Sequence, residues 1–562
     1  MNAMSDPSTK PSAVQSPPVS EMFPRLTPAQ IERVAAHGRL RSIQRGDILV
    51  EVGQPSVPFF VVVTGEIQVV RQSVGMEAII TAHTHGHFTG EVTMLSGRPA
   101  IVHIRVSENG ELIEMDRVRM LALVQNDAEL GQIIMRAFIL RRLSLIARGL
   151  SDVVLVGSTH NAGTLRVKEF LTRNGHPYAY LDLERDSDVQ NLLDQFHFSI
   201  DDIPVLICRG KTVLRNPTNQ QIVECLGFNE TIDATQVRDL IIVGAGPSGL
   251  AAAVYGASEG LDVLVIETDA PGGQAGLSSR IENYLGFPMG VSGQDLTNRA
   301  YTQAQKFGAQ TLIAKNAVRL FCDKHPYAVQ INDGTRIPTR AIIIASGAQY
   351  RKPAIHNLPQ FEGAGVYYAA TFMESQLCTG EQVIVVGGGN SAGQAAVFLA
   401  DTTQQVHMLV RSGSLAESMS RYLIRRIEEH PRITLHYHTE LTALAGREHL
   451  EGVSWRNNQS GKTETHPLRH IFVMAGADPS SAWLEGCLVR DSKGFIKTGM
   501  DIPEEELKAA RWPLTRRPFI LETSLPGVFA VGDVRHSSIK RVASAVGEGS
   551  IAIAFVHQTL HA

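Results

Sequence analysis

Residues 238–267 read RDLIIVGAGPSGLAAAVYGASEGLDVLVIE. An apolar run ends at Val243, the turn Gly244-Ala245-Gly246-Pro247-Ser248-Gly249 follows, and the helix-forming stretch LAAAVYGAS opens directly from it. In such a turn the first glycine permits a tight reversal, the second lets a pyrophosphate approach the backbone, and the third lets helix pack closely on strand. The phosphate then lies on a helix N-terminus, where backbone N–H groups lack intrahelical partners. The next strand, LDVLVIE, ends in Glu267, 23 residues after Gly244, where a carboxylate accepts hydrogen bonds from an adenosine ribose. The pattern predicts a dinucleotide-binding α/β fold.

Further on, QVIVV leads into Gly387-Gly388-Gly389-Asn390-Ser391-Ala392, a second loop of the same kind with the small Ala392 in place of the third glycine. Its following strand, VHMLV, ends in Arg411-Ser412 instead of an acid. A guanidinium welcomes a 2′-phosphate that a carboxylate would repel, so this loop is expected to take NADPH, with NADH the alternative.

The whole chain has 562 residues, a length for about four domains. With 43% hydrophobic and 19% charged residues, 49 Gly and 26 Pro, it has a globular composition that excludes disordered, collagen-like and coiled-coil chains. A net charge of -4 gives phosphate backbones no overall attraction, and no basic patch of adequate size stands out, so no nucleic-acid partner is expected. Cys208, Cys225, Cys322, Cys378 and Cys487 are odd in number and never spaced as CxxC, an argument against a disulfide framework or a zinc site. Residues 1–20 form a polar, Pro/Ser-rich tail without the apolar core of a signal peptide, which points to the cytoplasm. The uncharged stretches 240–258 and 383–400 reach membrane-spanning length, yet their glycines and preceding strands mark them as buried nucleotide folds, and no membrane partner is expected.

Residues 21–150 begin with short runs rich in Val, Ile and Phe between glycine turns, a small β-roll, and continue into one long connecting helix from about Val118. Arg136, Arg141, Arg142 and Arg148 on that helix read as a solvated face. His83, His85 and His87 alternate along an extended segment, but with no further ligand in view no metal is expected. Residues 151–229 follow as a β-α-β-α-β-β module.

GAGPSGLAAAVYGASEG, APGGQ, RIENYLGFP, the GGGNSA loop, and ETSLPGVFAVGDVR with VGEGSIA together resemble thioredoxin reductases over residues 236–562. The resemblance implies FAD in the first fold, built from residues 236–350 and 478–562, and an inserted NADPH domain at 351–477. It implies that Gly244, Gly246, Pro247, Ser248, Gly249, Glu267, Gly272, Gly273, Gln274 and Asn283 line the FAD. Ser346-Gly347 and Gly532-Asp533 join them, and a helix beginning near Arg541-Val542-Ala543 aims its positive end at the flavin. Gly387, Gly389, Asn390, Ser391, Ala392, Arg411 and Ser412 hold the NADPH by the same resemblance, which also implies a homodimer.

The family carries a redox CxxC shortly before the nicotinamide loop; here Ala369 and Phe372 stand at those positions, and Cys378 nearby is alone and reads as a packing residue. Tyr367 and Tyr368 read mainly as core, with the flavin face as their alternative. Electrons would leave to an external acceptor, as in ferredoxin–NADP reductases of this fold: an iron–sulfur protein, a quinone, oxygen or a disulfide protein. The roll, with GEVTMLSGRPA, resembles cyclic-nucleotide-binding domains, in which Gly90-Glu91 would hold a ribose; Arg98 arrives early for the phosphate, and a degenerate roll used for dimerisation or docking is the alternative. Residues 151–229 resemble thioredoxin or glutaredoxin, with Ile203-Pro204 at the cis-proline position and Ser158 to Gly163 where cysteines are expected, so a docking or spacer role is predicted.

The expected architecture is thus multidomain: a cyclic-nucleotide-binding-like β-roll, an α/β thioredoxin-like module, then two Rossmann-type α/β domains for FAD and NAD(P)H. The expected function is FAD-dependent NAD(P)H oxidation under control of the roll. The alternatives are a nucleotide or redox sensor with incidental turnover, and thioredoxin-disulfide reduction with a partner's thiols.

Overall fold

The computed structural model describes residues 19–73, 76–91, 94–95, 97–147, 153–159, 161–183, 202–209, 212–447 and 449–561. The chain divides into two units, Met1–Asp152 and Val153–Ala562.

In the first unit the strands Arg39–Ile43, Ile48–Val50, Phe59–Ser73, Met76–His83 and His103–Met115 form one antiparallel sheet. Consecutive residues 59–62 are all buried because this sheet is covered on both sides. Phe59 and Val61 join the cluster under the helices, while Phe60 and Val62 join the cluster inside the roll. The expected single connecting helix is two, Arg117–Asn126 and Ala128–Ala147. Asp127 breaks it by leaving helical geometry (φ -106°, ψ 100°), and its Oδ1 accepts the N–H of Leu130 at 3.0 Å to restart the next helix.

The arginine face is also corrected. Arg136 is exposed and pairs with Glu21, but Arg141 and Arg142 are buried, and Arg148 lies outside the described residues. Arg141 donates through Nε to Met22 O (2.9 Å) and through Nη1 to Gly90 O (2.8 Å), and its guanidinium stands 4.7 Å from the Phe88 ring centroid.

The second unit begins with strands Val153–Gly157, Ala179–Asp182, Val205–Cys208 and Thr212–Arg215 and helices Ala162–Arg173 and Asn219–Leu226. The strands form a mixed sheet in which Val153–Gly157 pairs parallel with Ala179–Asp182 and antiparallel with Val205–Cys208. Ile203–Pro204 is cis. The sequence reading ended this module on two strands; the structure adds the helix Asn219–Leu226, while the expected second helix falls outside the described residues.

A seven-stranded sheet follows, with Arg238–Val243 paired parallel to both Val263–Glu267 and Arg336–Ile344. All five residues of Val263–Glu267 are buried, as a parallel strand covered on both faces requires. Pro247–Ser258 lies on this sheet beneath Val542–Leu560, and the two helices approach so closely that a Cβ on Gly549 would stand 2.1 Å from Ser248 O. Residues 366–473 supply a five-stranded parallel sheet in the order Val366–Tyr367, His470–Val473, Gln382–Val386, Gln405–Val410, Ile433–Tyr437. The paired segments Ala348–Tyr350 and Ala477–Pro479 carry the chain out to this sheet and back. Among the described residues no helix is long and apolar enough to cross a membrane.

Against the expectation of no disulfide framework, Cys322 and Cys487, 165 residues apart, are bonded. Their bond ties the end of strand Ala317–Phe321 to the turn after Ala482–Leu484. Spacing in the sequence carries no trace of a pairing between two such distant segments.

Candidate functional site: a cavity shared by two glycine loops

Both glycine loops open on one cavity of about 1110 Å³. Gly244, with φ +104°, turns the chain so tightly that a Cβ there would stand 2.3 Å from Ala345 O. Gly246 is different: it caps the helix Pro247–Ser258, and a Cβ on it would meet only Gly273 Cα, at 3.9 Å. Its free face is the room a ligand needs to reach the backbone.

The helices that begin at this cavity lack side-chain caps. Gly246, Gly389 and Arg541 precede Pro247–Ser258, Asn390–Ala400 and Val542–Leu560 without a side-chain hydrogen bond. Elsewhere in the unit Asn161, Thr218, Ser292 and Thr371 cap their own helices, whereas Ser420 and Pro503, away from the cavity, make no such bond. Uncapped N–H groups facing a cavity are the donors an anionic ligand satisfies. The residues present therefore fit a dinucleotide.

Of the residues expected around FAD, Gly244, Gly246, Pro247, Ser248, Glu267, Gly273, Gln274, Asn283, Ser346, Gly347, Asp533, Arg541 and Val542 line the cavity. Glu267 is buried at the end of its strand; Oε2 accepts the N–H of Ala245 (2.7 Å) and Oε1 that of Asp269 (3.0 Å). Burial raises its pKa, against those two bonds and the pull of Arg173. Asp533 is raised too, by burial, with Lys540 opposing.

Gly249, Gly272 and Gly532 are not on the wall but behind it, and Ala543 is exposed away from it. Gly249 packs against Gly244 O, where a Cβ would stand at 1.9 Å; Gly272 donates to Ala245 O; Gly532 donates to Glu548 Oε2 at 2.6 Å. Ala543 gives its place on the wall to Ala545, because the helix presents 542 and 545 inward.

At the second loop Asn390 and Ser391 reach the cavity. Gly387 turns under Met474 O and meets Ala392, while Arg411 and Ser412 are exposed at the end of the strand Gln405–Val410. Ala369 and Ala370 line a small adjoining pocket with Gln274, Tyr350, Ser391 and Gln394. Phe372 is 68% exposed. The tyrosine pair divides: Tyr367 packs on Phe472, whereas Tyr368 reaches the cavity and donates its hydroxyl to Glu362 Oε1 (2.7 Å). Cys378 is buried in the core of the second sheet, donates to Glu374 O at 3.3 Å, and has its thiol pushed up to about 12 by burial.

Several lining residues left no signal in the loop motifs. Tyr350 and the segment 478–483 reach the cavity through the paired crossover strands, and Arg173 reaches it from the four-stranded module.

In the first unit, Gly90 has φ +103°, Glu91 lies 3.6 Å from Arg142 Nη1, and Arg98 is buried. His83, His85 and His87 do not converge. His83 is buried with its pKa pulled to about 3 by burial, His85 Nδ1 contacts Val63 O, and His87 Nδ1 accepts the N–H of Thr84. Among the described residues no group of three or more His, Cys, Asp or Glu side chains is arranged to hold a metal.

Comparison with known proteins matches this geometry. Residues 238–549 match the pyridine nucleotide-disulphide oxidoreductase model, and residues 40–127 the cyclic nucleotide-binding domain model. Thioredoxin reductase of Treponema pallidum is 33% identical over 56% of this chain and 94% of its own length. That of Mycoplasmopsis pulmonis is 31% identical over 56% of this chain and 95% of its own. The crystal structure of Lactococcus lactis thioredoxin reductase in its FR conformation is 25% identical, covers 58% of this chain and 99% of that one, and superposes with a TM-score of 0.51. The chain belongs to the pyridine nucleotide-disulphide oxidoreductase family and is a thioredoxin reductase-like oxidoreductase that carries a cyclic nucleotide-binding domain at its front.

Proposed function

We propose that the protein is an FAD-dependent NADPH oxidoreductase that passes electrons to an external acceptor without a dithiol of its own. The observation that carries this reading is the cavity onto which both glycine loops open: among the described residues no cysteine lines it, and Ala369 and Ala370 line a small pocket beside it that shares Gln274, Tyr350, Tyr368 and Ser391. Residues 236–350 and 478–562 would form the FAD domain and 351–477 the NADPH domain.

FAD bound there supplies two-electron acceptance from a nicotinamide. The protein's part is to hold and orient: Gly246 leaves room for the pyrophosphate, the start of Val542–Leu560 presents a positive helix end, and Asn390 and Ser391 bring the second nucleotide to the same space. Tyr350, at the end of the crossover strand Ala348–Tyr350, is hydrogen-bonded to Ser391 of the second loop. Arg411 and Ser412 would receive the 2′-phosphate of NADPH.

The conventional thioredoxin reductase activity of the relatives would need a thiol pair at residues 369–372, where none stands. Anaerobic titration decides the matter: one NADPH per FAD is expected to bleach the flavin completely. A second equivalent that persists when Cys322 and Cys487 are both replaced by serine would overturn the reading, and absence of any bleaching would favour the sensor.

The β-roll is assigned a regulatory role, and residues 151–229 a thioredoxin-like docking role without thiol chemistry. Heat on titrating cAMP or cGMP into the full chain tests the first; no heat would leave the roll as a docking element. Sedimentation as a dimer is the expected oligomeric result.

A further inference from the structure

The four-stranded module at residues 153–228 is seated on the first dinucleotide fold and shares its interior. Ile313 and Ala314 of that fold belong to the same core cluster as Val167, Phe170 and Phe228 of the module. Asn229 is bonded both ways to Ile313, accepting its N–H at 2.7 Å and donating to its carbonyl at 2.8 Å. Asn219 donates to Asp269 Oδ1, and Gln294 donates to the carbonyl of Arg173. A side chain of the module is therefore held in place as firmly as one of the fold itself.

One such side chain reaches the ligand wall. Arg173 ends the helix Ala162–Arg173, lines the cavity beside Glu267, Thr268 and Asp269, and is only 13% exposed. Its bonds to protein are few and long for so buried a cation. Nη2 reaches Ala270 O at 3.4 Å and Gly273 O at 3.3 Å, Nη1 lies 3.5 Å from Glu169 Oε1, and among the described residues Nε has no partner. A buried guanidinium with five N–H groups normally finds short, charge-assisted partners. Gly273, which it touches, is in turn packed against Gly246, the cap of the phosphate helix; a Cβ on Gly273 would stand 2.9 Å from Gly246 Cα. The carboxylates of Glu267 and Asp269 on this wall would repel an anionic ligand unless a cation stood with them.

We propose that Arg173 is a nucleotide-binding residue donated by the four-stranded module, and that it supplies the positive charge for the pyrophosphate of the ADP half of the dinucleotide in the first loop. The module is then a structural part of the cofactor site, although it has no redox cysteines at residues 158–163. The assignment rests on the flavin reading above only for the identity of the dinucleotide.

The test compares ADP and adenosine binding to the full-length chain stripped of nucleotide, together with FAD uptake followed by flavin fluorescence. Arg173→Gln is expected to weaken FAD and ADP about tenfold while leaving adenosine within about twofold, since only the phosphates feel the charge. Arg173→Lys, which keeps the cation but loses the fork, should hold the ADP-to-adenosine ratio within about threefold of the parent. Arg166→Gln, whose partners Asn219 and Pro217 lie inside the module, should leave that ratio unchanged. Equal ADP affinity in the parent and Arg173→Gln would overturn the proposal. So would a parallel loss of ADP and adenosine, which would make Arg173 a mere prop of the wall. Should Arg173→Gln not fold, a lysine variant that loses the ADP preference would overturn it equally. Failure of the parent to take up FAD would defeat the flavin reading instead, with the ADP-to-adenosine comparison still deciding on Arg173.

Discussion

The two glycine loops are built from one local device and finished in opposite ways. At the first, the strand Val263–Glu267 is wholly buried, its terminal carboxylate is bonded through both oxygens, and Arg173 of the neighbouring module lines the same cavity wall. At the second, the strand Gln405–Val410 ends in Arg411, Ser412, Gly413 and Ser414, all exposed. Enclosure suits a nucleotide that stays; an open rim suits one that must arrive and leave every turnover. On the proposed reading, the difference separates a resident cofactor from an exchanging substrate.

The largest effect is expected at Gly249. Its Cβ would stand 1.9 Å from Gly244 O, against backbone that cannot step aside, whereas the second loop already carries alanine at the matching place, Ala392. Gly249→Ala should cost about 3 kcal/mol of local packing, about a hundredfold in FAD affinity by flavin fluorescence. Ala392→Gly should change NADPH KM less than about threefold. Equal tolerance at both positions would break the contrast between a closed and an open loop.

Glu267→Gln comes next. The carboxylate accepts from two backbone N–H groups; an amide has one acceptor and turns its NH₂ toward the other donor. A loss of about 2 kcal/mol, roughly 30-fold in FAD affinity, is expected. Arg411→Gln at the exposed rim should change only nucleotide choice. With one screened charge at stake, kcat/KM for NADPH should fall about fivefold relative to NADH. Unchanged preference would remove Arg411 from the 2′-phosphate and leave Ser412 to carry it.

The contrast between the loops was legible in the sequence because it is local: strand, glycine spacing and the residue that ends the next strand are contiguous. The helix from Val542 was legible for the same reason. Arg173 was not, because its role depends on a module folding back onto a loop about 100 residues downstream, and nothing near Arg173 in the chain marks it. The Cys322–Cys487 bond escaped likewise, joining elements 165 residues apart. The burial of Arg141 and Arg142 was not legible because helical spacing names a face without saying what covers it; Met22, Gly90 and Phe88 pack on Arg141, and Glu91 lies beside Arg142. The break at Asp127 fell to a capping residue whose effect a periodic apolar pattern hides.

The smallest effect distinguishes the two folds by their response to acid. On the strand before the second rim, His407 Nδ1 lies 3.1 Å from His436 Nε2, and burial, helped by His436 and His466, pulls the His407 pKa down to about 4. The fold thus favours neutral His407, and its contribution is present above the unfolded value near 6.5 and is lost as pH falls from there through 4. Glu267 in the first fold moves the other way: burial raises its pKa, so protonation on acidification relieves a buried charge there instead of creating one. Between pH 6.5 and 4 the second fold should therefore loosen first, seen as hydrogen exchange rising in Gln405–Val410 and Ile433–Tyr437 while Val263–Glu267 stays protected. His407→Gln, which keeps a polar contact with Gln382 but cannot titrate, should flatten that pH dependence by a few degrees in Tm. Loss of protection in Val263–Glu267 before Gln405–Val410 would reverse the assignment, placing the acid-labile element in the fold that the enclosed loop was taken to stabilise.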